Sequence, residues 1–377
     1  ETVPIYFDSA AGHNYYMSTK KILPALIAAF AAIQSNRADA CTGITLKSND
    51  GSTVVGRTID WSGAKMNNIY VVAPRNHTVR AITPDGAGTG LEYTTKYGYV
   101  GLGMEQDEFV VDGMNEAGLV AELFYFPNYG EYQSFDSADA ENTIGDLELV
   151  SWMLARFSTV DEVMDAVRKV RIVNIYPDAS TVHWRITDSS GRQAILEITD
   201  GTPHFYESEI GVLTNSPGYQ WQVANLNNYV NLFPGTAGPS KLGALTLRAF
   251  GHGSGFLGLP GDFTPPSRFV RAAFLSSFHI PLATGYDASM HSFHILNNFD
   301  VPLAIQFKDA KPPVDILSAT QWTVVSDISA RMIYYRTMYN SAIRSINMKD
   351  IDFETVSFQS HPLDSVMRET IIPVSIQ

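Results

Sequence analysis

One cysteine, Cys41, stands alone in the 377-residue chain, and its surroundings decide what it can do. A lone cysteine makes no intramolecular disulfide and by default is a small, buried, inert side chain. Here it follows Ala38-Asp39-Ala40, a small-x-small sequence of the kind at which leaders are cut. A cut after Ala40 would give Cys41 a free α-amine. Such an amine titrates near ~8 and a thiol near ~8.5, so one residue would hold a nucleophile and a base close to neutral pH. The amine can take the thiol proton and later hand it to a leaving amine, which is amine-assisted nucleophilic catalysis. No histidine is required, and the nine histidines show no evident placement relative to Cys41.

Two companions are expected: a carboxylate to hold the amine and a cation to favour thiolate over thiol. Gly56-Arg57-Thr58-Ile59-Asp60-Trp61 offers both. If the chain folds back as a hairpin, Arg57 comes beside Cys41 and Asp60 sits at the strand end. A surface Arg/Asp pair at a strand end is an equally good reading of this segment alone.

The elements around these residues follow from pattern. Residues 1–40 are expected to be removed. Lys20 and Lys21 precede a short apolar stretch at 22–33 and the small-x-small site, with Met17 where such a leader would start. Residues 1–16 fit neither leader nor enzyme. The reading implies export to the periplasm or beyond. A lipoprotein signal also ends at a cysteine, but it wants a large aliphatic residue where Ala38 stands.

Residues 41–377 are expected to form one catalytic domain of α+β class. Strands are predicted at 53–58, 68–72, 109–111 and 119–126, with Asp112-Gly113 in the turn between the last two. Helices follow at 146–156 and from Ser158 or Thr159 to about Arg171, the second acidic at its start and basic at its end. Strands at 182–187, 194–198 and 211–214 come next, then a Gly/Pro-rich surface loop at 251–266. Helices at 267–279 and 287–297 precede closing strands at 322–326, 330–335 and 342–346.

Composition removes whole classes of function. The net charge of −13 repels phosphate backbones and anionic lipids, which argues against nucleic-acid and membrane partners. No apolar span beyond residue 41 is long enough for a polytopic membrane protein. His291 and His294 lie a turn apart, but no further ligands accompany them, so neither metal nor cofactor is expected. The glutamates of 116–148 read as solvated charge. Trp322 and Tyr334-Tyr335 read as strand packing.

Four ordered motifs carry a family resemblance. Cys41-Thr42 with Gly56-Arg57-Thr58-Ile59-Asp60-Trp61 resembles the start of the choloylglycine hydrolases, the family of penicillin V acylases and conjugated bile salt hydrolases. Asp112-Gly113-Met114-Asn115-Glu116-Ala117-Gly118-Leu119, Thr214-Asn215-Ser216-Pro217-Gly218-Tyr219, and Leu257-Gly258-Leu259-Pro260-Gly261-Asp262-Phe263 with Arg268-Phe269-Val270-Arg271 follow in order. The resemblance implies an N-terminal-nucleophile hydrolase, a four-layer αββα sandwich of antiparallel sheets, and a homotetramer. It implies Cys41 as nucleophile, with Arg57 and Asp60 organising thiol and amine. Asn215 would supply the side-chain oxyanion donor and Tyr125 the backbone donor, with Arg268 close to the sulfur. Tyrosine at 125, Pro-Gly-Tyr after Ser216 and Gly-Asp-Phe-Thr-Pro look acylase-like, and an aromatic ring suits a phenoxyacetyl group. The expected substrate is therefore penicillin V, with conjugated bile salts as the alternative. While residues 1–40 remain attached, the Cys41 nitrogen is an amide and no base, so the uncut chain is expected to be inactive.

Overall fold

The computed structural model describes residues 40–61, 66–107, 109–176, 180–302 and 319–376. The segment expected to be removed, residues 1–40, lies outside them except for Ala40. Two antiparallel sheets face one another. The smaller takes β1 (Ala40–Lys47) and β2 (Thr53–Trp61) from the start of the chain. The larger begins with β3 (Asn68–Ala73), β4 (Tyr99–Met104), β5 (Val110–Asn115) and β6 (Val120–Tyr125). It continues with β7 (Val182–Thr187), β8 (Gln193–Thr199) and β9 (Thr202–Glu207). The chain then returns to the small sheet as β10 (Ala319–Asp327), β11 (Met332–Thr337) and β12 (Asn340–Asn347). It ends on the large sheet as β13 (Gln359–Pro362). The orders are β1-β2-β10-β11-β12 and β9-β8-β7-β6-β5-β4-β3-β13.

Helices cover the outer faces. Between β6 and β7 run α1 (Leu149–Arg156), packed on β5 and β6, and α2 (Val160–Val167). Later come α3 (Tyr219–Asn225), α4 (Pro265–Ser277), packed on β1, and α5 (Gly285–Leu296), packed on β1, β2 and β10. The result is the αββα sandwich expected from the sequence. Its middle strands are buried on both faces: every residue of β2 but Trp61 is buried, although Arg57, Thr58 and Asp60 are polar. The sheets approach closely at Gly43, where a Cβ would sit 2.8 Å from Phe124 and 3.0 Å from the Arg185 guanidinium. Only glycine fits there.

The strand and helix assignments hold with four corrections. Asp112-Gly113 is not a turn but the middle of β5; the chain reverses at 116–118, where Gly118 takes φ +88°. A positive φ suits glycine without strain, and this is where the hairpin places its left-handed residue. The second helix ends at Val167 rather than near Arg171, which starts a short strand, Arg171–Val173. Its start is where the sequence puts it: Thr159 caps it, and Glu162 completes the reciprocal capping box. The 211–214 stretch is a single bridge, Leu213 to Gly43, because the chain leaves the β1 edge at once. Finally, Glu122 and Glu148 are buried rather than solvated: Arg185 grips Glu122, and Glu148 accepts the Ile82 amide. The strands β1, β4, β9 and β13 carry no pattern that predicts them. Among the described residues, no helix is long and apolar enough to cross a membrane.

Candidate active site

The β1–β2 hairpin sets the geometry. Its register places Ala40 opposite Asp60, Cys41 opposite Ile59, and Gly43 opposite Arg57. Side chains alternate between faces, so Cys41, Gly43, Ile59 and Arg57 share the face toward the large sheet. Thr42, Thr58 and Asp60 share the other.

Arg57 is fully buried. Its Nη1 donates to the carbonyls of Leu123 (2.5 Å) and Val111 (3.3 Å), and its Nε to the Thr58 carbonyl (3.3 Å). The guanidinium lies 4.0 Å from the Phe124 ring centroid, a cation–π contact. Backbone oxygens of β5 and β6 thus aim the cation at the strand that bears the thiol.

Asp60 is also fully buried. Thr320 donates to its Oδ1 at 2.6 Å and Thr58 to its Oδ2 at 3.4 Å. Burial pushes its carboxyl up to about 7, against the pull of the Arg268 charge.

Arg268 comes from α4, which Pro265 and Pro266 start. Its Nε donates to the Phe263 carbonyl (2.8 Å), and its Nη1 to the Cys41 carbonyl and to Thr42 Oγ1 (2.8 Å). Its Nη2 donates to Asn215 Oδ1 (2.6 Å). Burial lowers this guanidinium to about 10, which leaves it cationic at neutral pH.

Asn215 joins the elements. Its Oδ1 also accepts the Cys41 N–H at 2.8 Å, while its Nδ2 donates to the Tyr125 carbonyl at 2.8 Å. Two donors converge on one atom and an acceptor faces the other, which fixes the amide orientation. The half-buried Tyr125 closes the end of β6, its ring edge-on to Trp61 with centroids 5.9 Å apart.

The Cys41 thiol is buried and raised above its ordinary value, chiefly by desolvation. Arg57 pulls it down, the Asp60 charge pushes it up, and the Asp60 backbone N–H and Arg268 pull it down. Two buried guanidinium groups therefore oppose the burial of a nucleophilic sulfur. All six residues singled out from the sequence meet here. One detail differs: the Cys41 nitrogen is held by Asn215, and Asp60 is held by threonines. Thr42, Thr58 and Thr320 are further members that the sequence reading misses. Thr42 and Thr58 lie within the quoted motifs, whereas Thr320 is 260 residues from Asp60 and no pattern points to it. Among the described residues, no group of three or more His, Cys, Asp or Glu side chains could hold a metal ion.

Comparisons with known proteins bear on the family and the fold. The profile of the family described as "Linear amide C-N hydrolases, choloylglycine hydrolase family" matches residues 41–361. A bile salt hydrolase/transferase of Clostridium perfringens is 36% identical over 315 residues, which is 82% of this chain and 92% of that one. Its counterpart in Lactiplantibacillus plantarum is 31% identical over 332 residues, 86% of this chain and 97% of that one. A penicillin V acylase of Pectobacterium atrosepticum is 24% identical over 329 residues, 81% of this chain and 79% of that one. A crystal structure of a conjugated bile acid hydrolase from Clostridium perfringens superposes with TM-score 0.75 at 32% identity, covering 89% of this chain and 100% of that one. The fold is shared by a penicillin V acylase from Agrobacterium tumefaciens, with TM-score 0.70 at 24% identity over 86% of this chain and 92% of that one.

These relatives correct one expectation. The family match begins at Cys41, yet the similarity takes up 92% and 97% of the two bile salt hydrolase chains. Those chains leave little room for a forty-residue export leader. The periplasmic or secreted destination read from residues 1–40 does not stand.

Proposed function

Because this chain belongs to the choloylglycine hydrolase family of linear amide C–N hydrolases, we propose that it cleaves conjugated bile salts from a Cys41 placed at the chain terminus. The observation that carries the mechanism is Asn215 Oδ1, which accepts both the Cys41 N–H and the Arg268 guanidinium. Severing the Ala40–Cys41 bond turns that held amide into an amine without moving its acceptor. The amine removes the thiol proton, with Arg57 and Arg268 favouring the thiolate. Sulfur adds to the substrate carbonyl. Asn215 Nδ2 has two hydrogens; the Tyr125 carbonyl takes one, and the second meets the oxyanion together with the Tyr125 backbone N–H. The ammonium protonates the leaving amine as the C–N bond breaks. Water, deprotonated by the restored amine, then cleaves the thioester and frees the acid. Asp60, held by Thr320 and Thr58, faces this proton traffic as a carboxyl that titrates near neutral pH.

The catalytic unit is residues 41–377, and the uncut chain is an inactive precursor. The family reading carries a homotetramer for the working form. Identity favours the steroid conjugates: 36% to a bile salt hydrolase against 24% to a penicillin V acylase. This reverses the substrate expected from Tyr125. The edge-on Tyr125–Trp61 pair supports phenoxymethylpenicillin as the second reading, since it offers an aromatic wall to an aryl group. Amine release from glycocholate, taurocholate and phenoxymethylpenicillin by the processed protein tests the choice. Faster turnover of either bile conjugate is expected; a large preference for the penicillin overturns the substrate assignment.

A further inference from the structure

The inner face of the large sheet carries a second buried acid–base pair that the mechanism does not use. His183 on β7 and Glu197 on β8 are cross-strand neighbours in the register of Trp184 with Leu196. His183 is fully buried and Glu197 nearly so. His183 lies flat on Phe126, with centroids 4.3 Å apart and planes 9° apart, and edge-on to Phe124. Its Nε2 is 3.1 Å from the Thr214 carbonyl, and its Nδ1 is 3.1 Å from Glu197 Oε1. The same Oε1 accepts the Tyr219 backbone N–H at 2.8 Å.

These contacts dictate where protons sit. A carbonyl only accepts, so Nε2 carries a hydrogen. A bare Nδ1 lone pair facing a carboxylate oxygen would be repulsive, so a proton also lies on the Nδ1–Oε1 line. The pair is buried, with both His183 nitrogens and Glu197 Oε1 hydrogen-bonded. Its outer contacts fall on one short segment: Thr214 precedes Asn215, and Tyr219 follows it by four residues.

We propose that His183 and Glu197 are positioning residues for Asn215, gripping the chain on both sides of it and so fixing where its side-chain amide points. The proposal rests on the reading of Asn215 as the oxyanion donor. Other contacts hold the same segment: Ser216 Oγ donates to the Pro127 carbonyl (2.6 Å), and Gln222 Nε2 to the Asn215 and Pro217 carbonyls (both 3.3 Å). None of these joins Thr214 to Tyr219. A side-chain donor works only if aimed at the place where charge develops, so a loosened segment costs turnover more than substrate affinity.

The test is a double-mutant cycle on the processed enzyme with glycocholate, with active-site concentration set by titrating the Cys41 thiol. His183→Leu is expected to lower kcat about 10–100-fold with KM within about twofold, short of the ~10²–10³ of losing a donor outright. In the Asn215→Ala background the same substitution should have almost no further effect, since two residues acting through one atom are not additive. A full His183→Leu effect in that background, or one confined to KM, overturns the proposal. Where His183→Leu yields too little folded protein, Glu197→Gln carries the same cycle. It keeps an acceptor for the Tyr219 amide while replacing the carboxyl group that faces His183 Nδ1. A crystal structure of either variant tests the clamp without substrate: Asn215 Nδ2 should leave the Tyr125 carbonyl, and an unmoved Asn215 rejects the clamp. Wild-type kcat in Asn215→Ala alone would instead reject the oxyanion reading, leaving that structure to judge the clamp.

Discussion

Two buried layers of this molecule are built on opposite principles. Under α1, the outer face of the large sheet is closed by Leu149, Val150, Met153 and Leu154, all fully buried and apolar. Around the Cys41 hairpin lie Arg57, Arg185, Asp112, Glu122, His183 and Glu197 between the sheets, with Asp60 and Arg268 on the α4 side of the hairpin, all buried and all charged or polar. Arg185 grips Glu122 through two hydrogen bonds, and burial together with the Glu122 charge pushes the neighbouring Asp112 carboxyl well up. Burying charge costs stability even when it is paired, whereas apolar burial adds about 25 cal/mol per Å². The outer layer holds the fold together. The inner layer spends part of that stability on oriented donors and cations, which is what a site that stabilises an oxyanion needs.

The contrast can be broken from either side. Asn215→Ala in the inner layer should lower kcat per folded active site about 10²–10³-fold, well beyond the modest fall in melting temperature from orphaning the Arg268 and Cys41 donors, read by steady-state kinetics and thermal unfolding. Leu154→Ala in the outer layer should do the reverse. It should cost about 3 kcal/mol in denaturant unfolding while leaving kcat per folded active site unchanged. A loss of kcat per site there would dissolve the division of labour.

Asp60→Asn sharpens the comparison by pH. Between about pH 4 and 7, the unfolded chain has lost the Asp60 proton while the folded chain retains it, because the buried carboxyl is raised to about 7. Stability contributed at this position therefore falls as pH rises through that window. In the uncut chain, Asp60→Asn should match wild type near pH 4 and exceed it by on the order of 4 kcal/mol above pH 7, measured by urea unfolding across pH. A difference that does not change with pH would contradict the assignment. The smallest effect is at the α2 cap, where Thr159→Ala should cost about 1 kcal/mol and spare activity.

The same contrast explains what is legible in the sequence. Cys41, Arg57 and Asp60 fall within twenty residues, and hairpin pairing alone brings them together. Asn215 and Arg268 stand out through ordered motifs, although only the fold shows that both meet at the Cys41 backbone. Thr159 is readable because a cap is a local device. Thr320 is not, since it acts across strands distant in sequence; His183 and Glu197 face each other on neighbouring strands, but their hold on Thr214 and Tyr219 is a tertiary contact that no spacing encodes. Glu122 misleads for the same reason: its partner Arg185 is 63 residues away, and without a partner a glutamate reads as solvated. Tyr125 stands beside Asn215 at the end of β6, yet one aromatic residue is too little to set the substrate against the identity of the whole chain.

The central claim is that a single residue supplies both sulfur and base, and intact-mass analysis of the turnover-competent protein tests it most directly. The account predicts a chain whose first residue is Cys41 with an unmodified amine, and no turnover in the fraction that keeps Ala40. Full activity in a chain with the Ala40–Cys41 bond intact would contradict it.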